Sequence, residues 1–200
     1  MNLLLPPKNK AGLSSYGYWE NFLSDDDIKT ILSLKEWHMA KTAEIGSMND
    51  LQKVNTSIRN SKVSWMEYSS ETSQIWDKIL NAITEVNSIY FHFDLTGCHE
   101  PAQLTIYDSS NSEHYSWHSD SSYIDRTVPR KLSMSLLLSD ESEFKGGELE
   151  VLADSDKPHR LPQKRGRAWF FPSYMIHRVC PVTYGIRRSL VLWIGGPNFK

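Results

Sequence analysis

A chain of 200 residues, 40% hydrophobic and 12% aromatic, carries enough apolar mass for one sizeable core, and one domain is the expectation at this length. Its 22 basic and 24 acidic residues nearly cancel to a net charge of −2, so no global field points to nucleic acid or an anionic membrane. Leu3-Leu4-Leu5 is cut off by Pro6-Pro7, too short for a signal-peptide core, and no window reaches a membrane span, so a soluble cytoplasmic protein is expected.

Residues 1–16 show no periodicity and are read as an irregular lead-in. Ser24 followed by Asp25, Asp26 and Asp27 opens a helix: a serine oxygen can cap free amide groups, and carboxylates in the first turn complement the helix dipole. With Ile28, Ile31, Leu32 and Leu34 facing inward, it is expected to run to about Trp37. Residues 39–62 are polar and mixed, a loop with a short strand near its end. A second helix fits 71–87, where Ile75, Trp76, Ile79, Leu80 and Ile83 recur at helical spacing. The pattern then changes. Tyr90–Leu95, Gln103–Tyr107, Leu132–Leu138, Glu148–Leu152, Arg167–Phe171 and Ser189–Ile194 read as short strands, punctuated by Gly146-Gly147, Gly166, Pro172, Pro181 and Gly185. Helices followed by many short strands predict an α+β chain with a small β-sandwich or jelly-roll core. Cys98 and Cys180 stand far apart without CxxC spacing and are read as free thiols of a reducing compartment, one disulfide being the alternative.

Two His-x-Asp tripeptides occur, His118-Ser119-Asp120 and His92-Phe93-Asp94, where composition supplies about one or fewer. Two imidazoles and a carboxylate make a three-ligand face for iron(II) with other positions open. Context favours the first pair. It follows a strand and a polar turn at Asp108–Glu113, where a loop would re-enter a barrel mouth. His92 and Asp94 instead alternate with Phe91, Phe93 and Leu95 in an ordinary half-exposed strand pattern. The third ligand should be a lone histidine at a strand end. His177 meets this, following the Pro172 turn and opening a new extended segment; its other nitrogen would need a fixing hydrogen bond. His114 is a candidate to support the site from behind the ligands. Ten residues after His177, the strand-borne Arg187 can hold the distal carboxylate of a chelating keto acid. Arg188 competes. Strand alternation groups Arg187, Ser189, Val191 and Trp193 on one face and Arg188, Leu190 and Leu192 on the other, so Arg187 is placed inward beside Ser189, with Trp193 walling the pocket. Lys157, His159, Arg160, Lys164, Arg165 and Arg167 form a basic cluster, read as a solvated rim, or alternatively as attraction to an acidic or nucleic-acid-associated partner.

The ordered combination of Gln103-Leu104-Thr105-Ile106-Tyr107, Tyr115-Ser116-Trp117-His118-Ser119-Asp120, Gly146-Gly147-Glu148-Leu149, Gly166-Arg167-Ala168-Trp169-Phe170-Phe171-Pro172-Ser173 and the run from His177 through Arg187 to Trp193 resembles the 2-oxoglutarate- and iron(II)-dependent dioxygenases, in the prolyl-4-hydroxylase-like branch. The match covers roughly residues 100–196. It implies a double-stranded β-helix (jelly-roll) core there, supported by a mainly helical 1–99, in a single domain spanning 1–200. It implies His118, Asp120 and His177 as iron ligands, Arg187 with Ser189 beside it at the cosubstrate, Tyr107 bonding the cosubstrate, and Tyr115 and Trp193 lining the site. Iron(II), 2-oxoglutarate and O2 are the implied cofactor and cosubstrates, with L-ascorbate as a supporting reductant. The implied reaction hydroxylates an unactivated C–H, most naturally of a proline in a protein or peptide, and releases succinate and CO2. Tyr123, Trp193 and the loops around 53–62 and 121–130 are the candidate groove. A small-molecule or free amino-acid hydroxylase and a non-catalytic jelly-roll binding module are the alternatives. Nucleic-acid demethylases of the same chemistry carry a second arginine six residues after the anchor; Trp193 stands there and argues against nucleic acid. Two departures are visible: Leu136 and Leu137 stand where some relatives place a cosubstrate tyrosine, and Ser109, Ser110 and Asn111 replace a loop glycine.

Overall fold

A computed structural model describes residues 15–45, 54–121, 123–124, 128–153 and 157–198. Its elements are β1 (Gly17–Glu20), α1 (Asp25–Ser33), β2 (Lys41–Thr42), β3 (Arg59–Asn60), β4 (Lys62–Met66), α2 (Ser73–Val86), β5 (Ala102–Asp108), β6 (His114–His118), β7 (Tyr123–Ile124), β8 (Val128–Leu137), β9 (Phe144–Gly146), β10 (Leu149–Val151), β11 (His159–Leu161), β12 (Arg167–Pro172), β13 (His177–Val179) and β14 (Val182–Gly195).

Helix α1 starts as its sequence dictates. Asp27 N donates to Ser24 Oγ, and Asp27 Oδ2 accepts from Ser24 N, a reciprocal cap. The helix ends at Ser33, short of Trp37, because Leu34 turns extended and a 3-10 turn, Lys35–Met39, follows. The Trp37 indole N–H then takes the Ile31 carbonyl at 2.8 Å. Asp27 also pairs with Lys78 at 2.6 Å, tying α1 to α2. Helix α2 buries Ile75, Trp76, Ile79, Ala82, Ile83 and Val86, the stripe its spacing predicts.

The strand expected at Tyr90–Leu95 does not form. A π-helical turn, Asn87–Phe91, extends α2, and His92 is left-handed at φ 52°. The Asn87 amide accepts from Phe93 N and donates to Phe93 O, both at 2.9 Å, so a side chain holds the chain reversal where a strand would need ladder bonds. Tyr90, Phe91 and Phe93 pack against the helical core instead.

The strands form two sheets. The larger runs β1-β12-β8-β14-β5-β4-β2, with β7 on β8 and β9 on β14; the smaller runs β11-β10-β13-β6-β3. All pairs are antiparallel. This is the double-stranded β-helix expected from the sequence. Residues 1–99 are less purely helical than expected, since β1 to β4 lie within them and three of these join the larger sheet. The segment before His118 is also a strand, β6.

Alternation along the central strands sorts two kinds of residue. Leu132, Met134 and Leu136 of β8, with Leu190, Leu192 and Ile194 of β14, join the core shared with the helices. At about 1.5–3 kcal/mol for each fully buried large apolar side chain, this layer anchors the larger sheet. The intervening residues, Ser133 and Ser135 on β8 and Arg187, Ser189 and Trp193 on β14, turn the other way. They face the space between the sheets, where Tyr107, Leu149, Phe171 and Val179 form a second, smaller core.

Candidate active site

A cavity of about 860 Å³ opens between the sheets. Its walls include His118, Asp120, His177, Tyr107, Tyr115 and Trp193. Strand pairing brings the histidines together: His118, the last residue of β6, stands opposite His177, the first of β13. Asp120, two residues beyond β6, is fixed by its backbone N–H donating to Ser173 O at 2.8 Å. One ligand atom from each of the three lies within 4.8 Å of the others. His118 Nε2 is 3.6 Å from Asp120 Oδ1, and His177 Nε2 is 3.5 Å from Asp120 Oδ2.

The donor set fits a divalent transition metal. His118 Nδ1 bonds Ser116 O at 2.8 Å, and His177 Nδ1 bonds Met175 O at 2.9 Å. A carbonyl only accepts, so each Nδ1 carries the proton and each Nε2 lone pair is left for a metal. Burial, and then the neighbouring His177, push His118 down to about 4, which keeps its imidazole neutral and able to ligate at physiological pH. Burial alone would raise the Asp120 carboxyl, but the two imidazoles, the Trp193 indole and the Ser133 hydroxyl hold it below its ordinary range. Ser133 Oγ donates to Asp120 Oδ2 at 2.8 Å and meets Ser173 Oγ at 3.0 Å. Two polar atoms on the cavity wall, Trp193 Nε1 and Ser64 Oγ, are buried without a partner of hydrogen-bonding geometry.

Arg187 lies deeper. It is 3% exposed and borders a small void of about 10 Å³ beyond Ser135 and Leu149, residues that also line the main cavity. Its Nη1 donates to Ser189 Oγ at 3.0 Å and its Nε to Gln163 Oε1 at 3.3 Å, and the Tyr107 ring centroid is 5.7 Å from its Cζ. Among the described residues no carboxylate pairs with it. Burial pushes this guanidinium below its ordinary range. Gly147, at φ +63°, allows the chain to pass here, since a Cβ on it would stand 2.7 Å from Arg187 Cδ. Arg188 is half-buried, its backbone N–H bonded to Ser139 Oγ. Tyr115 stacks on His118, with centroids 3.4 Å apart.

The residues set aside on sequence grounds lie apart. His92 and Asp94 are exposed and outside the cluster. His114 bonds backbone carbonyls of Ser112 and Ser57, away from the ligand atoms. The basic cluster is largely neutralised: Lys164 and Arg167 pair with Glu20, and Arg160 with Glu148 and Glu150. The side chain of Tyr123 and residues 122 and 125–127 fall outside the described residues. Sequence reasoning missed Ser133, Gln163 and Arg59. Ser133 carried a usable signal, because alternation with Leu132 and Met134 put it on the face opposite the helices.

Comparison with known proteins agrees with this geometry. The model of the 2OG-Fe(II) oxygenase superfamily matches residues 102–195. A PKHD-type hydroxylase of Janthinobacterium sp. (strain Marseille) is 28% identical over 175 residues, covering 84% of this chain and 71% of that protein. Other PKHD-type hydroxylases are matched over about half of their own length, 46% and 52% in two cases. Among solved structures, a Pseudomonas putida prolyl-4-hydroxylase superposes with a TM-score of 0.69 at 19% identity, covering 90% of this chain and 92% of that one. A Trichoplax adhaerens prolyl hydroxylase, in complex with a hypoxia inducible factor oxygen degradation domain peptide fragment, gives 0.72 at 18% identity, covering 91% and 84%. The jelly-roll fold and the His-Asp-His cluster define an iron-type oxygenase scaffold. The family-model match over 102–195, the PKHD-type relatives and the fold shared with prolyl hydroxylases support a 2-oxoglutarate- and iron(II)-dependent oxygenase of the prolyl-4-hydroxylase-like kind.

Proposed function

We propose that this chain hydroxylates a peptidyl proline, using iron(II) held by His118, Asp120 and His177 and 2-oxoglutarate anchored by Arg187. The observation that carries the reading is the pairing of two features: three ligand atoms within 4.8 Å of one another, and a buried guanidinium with no carboxylate partner among the described residues. When bound, iron would activate O2 with the keto acid as two-electron co-reductant, one oxygen atom going into the succinate formed with CO2 and the other into the substrate C–H bond. The protein's own residues do the rest. The carbonyls of Ser116 and Met175 orient the imidazoles, and Ser133 orients the carboxylate. Arg187 supplies a planar fork for the distal carboxylate, steered by Ser189 and Gln163. Tyr107, between Arg187 and the cavity, stays protonated, since burial raises its phenol, and can donate a hydrogen bond to the keto acid. Trp193 walls the chamber, and its indole N–H, near enough to Asp120 to lower that carboxyl, can steer the carboxylate or bond a ligand there.

A peptide substrate is supported by the Trichoplax neighbour's bound peptide and by the open mouth. Ascorbate enters the proposal as an external reductant that keeps iron ferrous. A reducing, cytoplasmic setting accords with two unpaired cysteines, and among the described residues no helix is long and apolar enough to cross a membrane. The test is succinate formation that needs both iron(II) and 2-oxoglutarate, with mass spectrometry of proline-containing peptides for the gain of one oxygen atom. Turnover without either addition, or oxygen gain only on free amino acids, would overturn the proposal.

A further inference from the structure

Two arginines among the described residues are buried, Arg187 and Arg59, and neither has a carboxylate partner there. The proposed function uses only the first. Arg59 is 8% exposed, sits on β3 at the cavity mouth and lines the cavity itself. Its registered neighbour on β6 is Tyr115. The Arg59 Cζ lies 4.6 Å from the Tyr115 ring centroid, and Tyr115 in turn stacks on His118. Guanidinium, phenol and metal-side imidazole thus form successive layers along one wall.

What holds Arg59 there is thin. Its Nε donates to the neutral hydroxyl of Ser61 at 3.1 Å, and the tyrosine face gives a cation–π contact. Neither replaces the water that a charged guanidinium gives up on burial. The other ionic groups on this wall are occupied or solvated. Arg130 pairs with Glu100 at 2.5 Å and lies over Trp193, while Lys41 and Glu44 are exposed. A planar cation that lines a ligand chamber, with no carboxylate partner among the described residues, suits a substrate carboxylate.

We infer that Arg59 is a specificity-determining residue that receives a carboxylate of the substrate, two stacked side chains away from His118, so that the preferred proline has an acidic group close by. The inference rests on the proposed hydroxylase reading and names its substrate class. The carboxylate can come from an Asp or Glu flanking the proline, or from a free chain terminus.

The test uses binding rather than turnover. Two peptide pools are presented to the metal-free full chain: capped peptides with a central proline and randomised flanks, and uncapped peptides ending in proline. The wild type should enrich Asp and Glu at a flanking position of the first pool, or the free terminus of the second, by about tenfold over their amide forms. Arg59→Gln, which keeps a donor for Ser61, should lose that selection and leave the 2-oxoglutarate requirement unchanged. Ser61→Asp, which gives Arg59 an internal partner, should lose the selection too while raising the melting temperature. This second variant decides the matter if Arg59→Gln fails to fold. Equal binding of acid and amide forms, no binding of either pool, or selection that survives Ser61→Asp would overturn the inference. So would a raised 2-oxoglutarate requirement in Arg59→Gln with peptide selection intact, which would give Arg59 to the cosubstrate. Succinate formation by the wild-type holoenzyme, measured without peptide, reports separately on the hydroxylase reading.

Discussion

Arg187→Met separates the two demands on that side chain. In the unliganded protein the guanidinium is 3% exposed with no carboxylate beside it among the described residues. Leaving it there costs several kcal/mol of desolvation. Its compensation is the Ser189 hydrogen bond at 3.0 Å, worth about 1.5–3 kcal/mol for a charged donor. The longer Gln163 bond at 3.3 Å and the Tyr107 ring contact add roughly 1 kcal/mol more. Methionine fills much of the same volume without the charge, so the variant should match wild-type stability to within about 2 kcal/mol. Cosubstrate binding should respond in a different way. The distal carboxylate of 2-oxoglutarate would be buried unpaired, a loss of about 3–5 kcal/mol, and affinity should fall on the order of 10²–10³-fold. Thermal denaturation of the metal-free protein and anaerobic titration of 2-oxoglutarate in the presence of manganese(II) measure the two effects. Arg188→Met should change neither appreciably. A severely destabilised Arg187→Met that keeps 2-oxoglutarate affinity within about threefold would refute the reasoning, because Arg187 would then be a structural residue.

Three further outcomes follow from local geometry. Gly147→Ala should destabilise by about 1–3 kcal/mol and also weaken 2-oxoglutarate binding, since its Cβ would meet Arg187 Cδ at 2.7 Å and Val182 Cγ2 at 2.9 Å on a backbone at φ +63°; denaturant melts and the same titration check both. Cys98, pushed up to about 12 by burial, should resist iodoacetamide at neutral pH in the folded state and label on unfolding. Glu150 would be raised by burial, but hydrogen bonds from Arg178 and Arg160 hold it below its ordinary value of 4.5. Its stabilisation is therefore present above pH 4.5 and lost as pH falls through the lower folded value. Glu150→Gln should cost on the order of 1–2 kcal/mol at pH 7, discounted for the exposure of both arginines, and flatten the acid limb of the stability profile.

The cluster of His118, Asp120 and His177 was legible in the sequence because its pattern is local. His118 and Asp120 sit two residues apart, and His177 follows a proline turn. The arginine phase was legible because β14 alternates regularly, large aliphatics toward the helices and Arg187, Ser189 and Trp193 away from them. Three features were not. The aromatic alternation of Tyr90–Leu95 mimics a strand, and the Asn87 side chain that folds it into a turn acts across six residues with no periodic signal. Strand β6 was hidden because it is half-buried along its length and mixes polar with aromatic residues. Arg59 was invisible because its burial comes from pairing with β6, a contact between segments far apart in the chain.

Anaerobic addition of 2-oxoglutarate to the iron(II)-loaded protein tests the central claim most directly, since keto acid chelated to ferrous iron gives a visible charge-transfer absorption. Wild type and His92→Ala should show the band at one iron per chain, and Asp120→Ala should not. A band that survives Asp120→Ala and vanishes in His92→Ala would place the metal elsewhere and contradict the account.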